Sequence, residues 1–417
     1  MLLVAMSDLG TSRGWRSPTR SPGDRAMAAK KREALHERDL RGFKYFRLLG
    51  PLLEGLHDLA TARDRAGNRQ LHFDQLVSLL LLYFFSPVLT SLRGLQQATG
   101  LDKVQKLLGC RRVSLGALSE AGRVFDPEPL REILAELAQR VAPAQLPQEW
   151  EALRHLTAVD GSLLPALPRM AWALWLDPQH RAAKMHVHFE VLRGIPVGVT
   201  VTDGNASELT QLRRTLEAGR LYVIDRGYAE YQLFQDIHDA GSAFVGRLRD
   251  NAVWTVIEER PVSAAACAAG VRSDRAVWLG GPQSGRVFHQ PVRVLEVATG
   301  KTDAHGQAER LLLCSDRLDL DAELLALAYR FRWSVELFFR WLKCILGCRH
   351  LLGESLQGLT IQVYVALLAS LLITLWTGRK ATKRTFEMFC FYFQGWASAE
   401  EVQRHIDQLQ EHSMNSS

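Results

Sequence analysis

The chain has 417 residues, of which 47% are hydrophobic and 23% charged, with a formal net charge of +6. That length implies two or three globular units, and the mild basic excess suits a protein that meets phosphates. Six scattered cysteines form no Cys-x-x-Cys pair, and Cys344, Cys348 and His350 lack the further ligands a zinc site needs. Buried thiols in a reducing cytoplasm are therefore expected.

Met1 to Met6 is too short for a secretory signal and has no positive charge before it. Residues 1–45 read as a basic, disordered arm carrying Arg13, Arg16, Arg20, Arg25, Lys30, Lys31 and Arg32, with Met27 as an alternative start. Residues 46–150 have helical periodicity throughout, with Gly100 and Gly109 at helix ends. Ser91 to Phe125 resembles a helix-turn-helix, its second helix at Val113 to Ser119 introduced by Arg111 and Arg112. Short helices of this kind also suit any small bundle. Two apolar runs need weighing as membrane spans. Leu76 to Leu89 is too short and contains Pro87, and Leu359 to Trp376 carries Gln362, Tyr364, Ser370 and Thr374. Both read as core helices, so no membrane partner is expected.

From 151 to 378 the pattern alternates strands and helices. Strands are expected at His155 to Val159, Lys184 to Leu192, Ile195 to Thr202, Leu221 to Ile224 and Ala243 to Leu248, with helices at Glu208 to Ala218 and Glu230 to Asp239. On the second strand Met185, Val187 and Phe189 alternate with Lys184, His186 and His188. The histidines therefore read as a hydrated face, with metal binding as the alternative. Between about 250 and 319 helical periodicity gives way to short strands and Gly-rich turns. A helix from Ala322 to Leu346 and an apolar helix to Trp376 follow. The tail, 379–417, opens with the basic run Arg379 to Arg384, and its aromatic residues from Phe386 to Trp396 read either as a cap on the core or as a subunit contact.

Three places concentrate chemistry. Asp160 ends the first strand in AVDGS, and Asp225 ends the fourth in DRGY. Open α/β sheets present ligand-binding side chains at such carboxyl ends, although an Asp there also serves as a turn former. The third place is Tyr329-x2-Arg332-x3-Glu336-x6-Lys343. On a continuous helix, at about 100° per residue, these four side chains fall within roughly 60° of one another. Apolar residues fill the rest of the cylinder. Such a stripe is either a solvated ridge holding an Arg332–Glu336 pair or a buried charged face that needs a partner. Three carboxylates without a Cys/His set favour a hard cation such as Mg²⁺ or Mn²⁺.

The three motifs in this order resemble the DDE transposases of the insertion-sequence-four family, over about Leu153 to Gly378. The resemblance implies an RNase H-like α/β core with a β-rich insertion at about 250–319, preceded by an all-helical DNA-binding domain. It implies catalysis and metal binding by Asp160, Asp225 and Glu336 with two ions per site, Asp160 bridging them. Tyr329, Arg332 and Lys343 are then DNA-binding residues that grip the non-transferred strand. Arg310 stands where a relative has a base-receiving Trp; Trp254 and Trp278 are other platforms, or simply core. The implied partners are double-stranded DNA, as transposon ends and target, and a second subunit in a synaptic homodimer. The implied location is the bacterial cytoplasm, at the nucleoid when DNA is bound. The rival expectation is a non-catalytic DNA-binding inhibitor or a decayed copy.

Overall fold

The computed structural model describes residues 49–59, 69–143, 146–281, 288–302 and 308–414. The expected basic arm at 1–45 lies outside them. In chain order the helices and strands are α1 Gly50–His57, α2 Phe73–Phe85, α3 Leu92–Ala98, α4 Asp102–Leu108, α5 Leu115–Val124, α6 Glu128–Arg140, β1 Leu156–Pro165, β2 Leu174–Trp175, β3 Asp177–Glu190, β4 Ile195–Asp203, α7 Glu208–Arg214, β5 Leu221–Ile224, α8 Tyr231–Asp239 and β6 Ala243–Arg247. Then follow β7 Trp254–Glu259, α9 Ala264–Ala268, β8 Val271–Leu279, β9 Val292–Thr302, β10 Ala308–Ser315, α10 Ala322–Phe331, α11 Trp333–Arg340, α12 Leu356–Thr377, α13 Lys383–Phe393 and α14 Ala399–Met414.

The chain divides into two compact units. One gathers the residues up to Leu118 with those from Ala381 onward. Its centre is α2, apolar nearly all round in FDQLVSLLLLYFF and started by a capping box in which the His72 N–H donates to Gln75 Oε1 at 3.0 Å. In this unit the tail aromatics divide between the two expected roles. Phe386 and Phe389 are buried, with the Phe386 ring 6.0 Å from that of Phe85, whereas Phe391 and Trp396 stack on each other in the open.

The other unit runs from Ser119 to Lys380 and is built on one large mixed sheet. It takes α6 with it, which moves the boundary expected near residue 150. Leu130, Ile133, Leu134 and Leu137 form the buried stripe of α6, and the Arg193 guanidinium donates to the Val141 carbonyl at its end at 2.8 Å. The sheet order is β2-β3-β1-β5-β6-β10-β9-β8-β7, with β4 paired to β3. β1 pairs antiparallel with β3 and parallel with β5, and β5 pairs parallel with β6. The β-rich stretch continues this sheet, because β10 pairs with β6. α12 is long and apolar enough to cross a bilayer, but 89% of its apolar window is buried inside the fold, as a core helix.

Three sequence expectations change. Asp160 lies within β1 and not at its end: pairing with β5 covers only Leu156 to Ala158, while β3 carries the strand on to Pro165. His186 and His188 are buried, not hydrated, because the Thr202 and Thr215 hydroxyls cover that face at 2.9 and 3.0 Å. The helix expected at Ala322 to Leu346 is irregular. It breaks at Arg332 and widens at Trp341–Ile345, where the Leu346 N–H reaches the Trp341 carbonyl. Such π-turns shift the phase of everything beyond them.

Candidate active site

The sheet sets the first two acids side by side. The parallel register Leu156↔Leu221, Thr157↔Tyr222, Ala158↔Val223, carried two residues further, brings Asp160 level with Asp225. Asp160 Oδ1 accepts the Gly161 N–H at 2.8 Å, and Asp225 Oδ1 accepts that of Gly227 at 2.7 Å, capping the turn Arg226–Tyr228. Burial pushes the Asp160 carboxyl up to about 7. The Gly161 amide opposes this, Asp225 and Glu208 add to it, and Arg332 works against it. Asp160 therefore stands in the field of two other carboxylates and one guanidinium.

Arg332 comes from the break between α10 and α11, and its Nη2 donates to Glu336 Oε1 at 2.7 Å. Its guanidinium lies 5.9 Å from the centre of the Trp333 ring. Burial raises the Tyr329 phenol, while the nearby Arg332 and Arg247 draw it down. Arg332 thus holds Glu336 while acting on Tyr329 and Asp160. Lys343, in the widened turn, donates from its Nζ to Ser162 Oγ at 2.8 Å and to the Leu163 carbonyl at 3.4 Å, both on the strand of Asp160. Arg310 is not brought to this group. It sits on β10 opposite Ala298, and its exposed guanidinium is bound to Glu296. Trp254 packs against the core cluster around Phe244 and Val277.

Sequence reading missed Glu208, Arg247 and Ser162. Glu208 opens α7 behind its Ser207 cap and had only the signature of a helix start. Arg247 ends β6 beside β5, and its Nε has no hydrogen-bond partner. No spacing rule ties either to the motifs, because the fold alone gathers them.

The donor set fits a hard divalent cation, because it is made of carboxylate oxygens. Among the described residues, no three His, Cys, Asp or Glu side chains yet converge on one point, and Glu336 is engaged by Arg332.

Residues 151–372, just over half of the chain, match the family model for the transposase DDE domain. The chain belongs to the DDE transposase family. A Sinorhizobium fredii protein named as transposase y4zB is 28% identical over 225 residues, covering 54% of this chain. The match spans 61% of that relative's own length. A Geobacillus stearothermophilus protein named as the transposase for insertion sequence element IS5377 is 24% identical over 284 residues, covering 68% of this chain and 72% of the relative. A solved piggyBac transposase synaptic complex with hairpin DNA aligns over 86% of this chain and 80% of its own at 12% identity, with a TM-score of 0.43, too low to bear on the fold. The site described above lies inside the matched DDE domain.

Proposed function

We propose that this DDE transposase works by cut-and-paste, cleaving the ends of its own insertion sequence and joining them to target DNA. The observation that carries this reading is that Asp160 and Asp225 lie level on neighbouring parallel strands, with Arg332, which holds Glu336, acting on Asp160. We read β4, β3 and β1 followed by parallel β5 and β6 as an RNase H-like core, and the chain as a member of the insertion-sequence-four family. Asp160, Asp225 and Glu336 would hold two Mg²⁺ or Mn²⁺ ions, which when bound would neutralise the attacking and leaving oxygens of a phosphodiester.

The chain's own part is to position DNA. Arg332 offers a planar fork to a phosphate once Glu336 turns away, and Tyr329 a hydroxyl beside it. Lys343 has three donors, two of them engaged on β1, which leaves one for a phosphate. Arg310, exposed on β10, serves as a stacking platform for a base. The exposed Arg111 and Arg112 before α5 make the helical unit a DNA-reading domain. Two ends must join the target together, so the working form is a synaptic homodimer. It acts in the cytoplasm, at the nucleoid when bound to DNA.

The test is a strand-transfer assay with Mg²⁺ on duplexes carrying the element's ends and a plasmid target. Cleaved ends joined to the plasmid are expected. Binding of the ends without cleavage, in both Mg²⁺ and Mn²⁺, would leave only a DNA-binding inhibitor.

A further inference from the structure

The junction between β2 and β3 holds a leucine in a conformation that leucine disfavours. Among the described residues, Leu176 is the only non-glycine with a positive φ, at 62°. Gly or Asn fits that left-handed region far more easily, because a larger side chain there meets its own backbone. Nor does the Leu176 side chain repay the strain inside the fold: the residue is 71% exposed, and Leu174 beside it is exposed too. An exposed leucine alone signals little. One that is both exposed and strained points to a contact outside the fold.

The bend is braced. A Cβ on Gly204 would lie 2.9 Å from Cβ and Cδ1 of Trp175, so glycine there leaves room for that ring. The next residue, Asn205, accepts the Leu176 N–H on its Oδ1 at 2.8 Å. Asp177 Oδ1 accepts the N–H groups of Gln179 and His180 at 2.8 and 3.1 Å. That carboxylate, the only acid between residues 166 and 181, is thus engaged within its own turn, while Arg169 and Arg181 leave the stretch net positive. The strand from Asp177 to Val187, the partner of Asp160, spans about 33 Å at the usual rise, close to one turn of B-form DNA.

We propose that Leu176 is an apolar wedge that enters a base step of bound DNA about one helical turn from the cleavage point. This rests on the DNA-cleaving function proposed above. Leucine is among the side chains that proteins insert between base pairs to unstack and kink a duplex. A wedge must be held stiffly outward, and the braced left-handed bend does that.

The test uses the full chain and a duplex carrying one element end with its flank, in which 2-aminopurine replaces single adenines in turn. Its fluorescence rises where a base is unstacked. With the wild-type chain, a position about one turn from the cleavage point should brighten. Leu176→Gly and Leu176→Asn both suit a left-handed φ. Each should lose that signal and bind the duplex about tenfold more weakly. Neither should melt below the wild type, which separates the effect from damage to the fold; if one of them does not fold, the other carries the measurement. Wild-type affinity and brightening in the variants, or no brightening with the wild-type chain, would overturn the wedge and leave the cleavage reading standing. A monomer in place of a dimer for DNA-free Leu176→Gly, with brightening kept, would make the bend a subunit contact instead. A wild-type chain that binds no end duplex would overturn both readings.

Discussion

In the β-rich part of the sheet, Asp274 on β8 and Arg293 on β9 face each other with side chains 1% and 5% exposed. The Arg293 Nε donates to one carboxylate oxygen at 2.8 Å, Nη2 to the other, and Nη1 to the Leu320 carbonyl. One charge meets one charge, each of the three guanidinium nitrogens is engaged, and the chain leading into α10 is fastened to the sheet. Around Asp160 the same side-chain types are arranged differently. Asp225 stands level with it, Glu208 is paired with Lys184, Arg332 is shared with Glu336, and Lys343 donates to Ser162 and Leu163. A buried ion pair that only supports a fold is neutralised within itself. Around Asp160 there is no such one-to-one closure, and unbalanced arrangements of this kind mark functional sites.

The largest effects should come from breaking the unbalanced site. Asp160→Ala, Asp225→Ala and Glu336→Ala are each expected to lower end cleavage by about 10³-fold or more while leaving binding of the ends nearly intact. Near-normal cleavage by any one of them in Mg²⁺ would remove that residue from the catalytic set. Asp274→Ala should do the reverse. Leaving Arg293 buried and unpaired costs about 3–5 kcal/mol of stability, read as an earlier denaturant midpoint. Activity per folded molecule should be unchanged. If Asp274→Ala left stability intact, the pair would not be the fastening it resembles.

The strands β1 and β3 carry the same contrast into pH. Asp160 is opposite Val187, between His186 and His188. The Asp160 carboxyl, held at about 7 mainly by burial, binds its proton more tightly in the folded chain than in the unfolded one. Its contribution is therefore full below about pH 4 and is lost as pH rises towards 7. His186 and His188 are both pushed down to about 4, chiefly by burial, with Lys184, Arg220 and their mutual repulsion helping. They contribute stability above about pH 6.5 that is lost as pH falls through 4, by about 3 kcal/mol each at most. Metal-free protein carrying Asp160→Asn should thus gain stability at pH 8 and little at pH 4. His188→Gln should instead flatten the acid limb between pH 6.5 and 4. Urea midpoints from about pH 4 to pH 8 check both; an unchanged acid limb in His188→Gln would mean that the imidazole is not the group that titrates.

Much of this was legible in the sequence because its signals are local. The strand Leu221–Ile224 has the bounds that its four apolar residues predict, and the motifs at Asp160 and Asp225 belong to neighbouring strands. Periodicity could not show that the helix breaks at Arg332 and widens at Trp341–Ile345, or that Lys343 bonds to Ser162 on β1, because a spacing argument assumes a regular helix. Alternation along β3 gave the right inward face, but it could not tell that hydroxyls from β4 and α7 would cover the other one. Glu208 and Arg247 were invisible for a related reason. Arg247 is placed by the order of strands in the sheet and Glu208 by the packing of α7 against β1 and β3, and neither is written in any one segment.

The smallest expected effect tests whether Arg332 and Lys343 belong to the unbalanced site or to the fold. Each phosphate contact made by a cation releases counterions, so removing one flattens the plot of log affinity against log salt by about 0.9. Arg332→Ala and Lys343→Ala should each lower the slope for cognate ends by about that much, and the double variant by about twice as much. Lys343→Ala should also lose its anchor on Ser162, a change of about 1 kcal/mol. A variant that shows the stability loss but the full salt slope would make Lys343 a fastener of β1. A lowered slope at wild-type stability would mean that its bond to Ser162 is only a resting position, given up when DNA is bound.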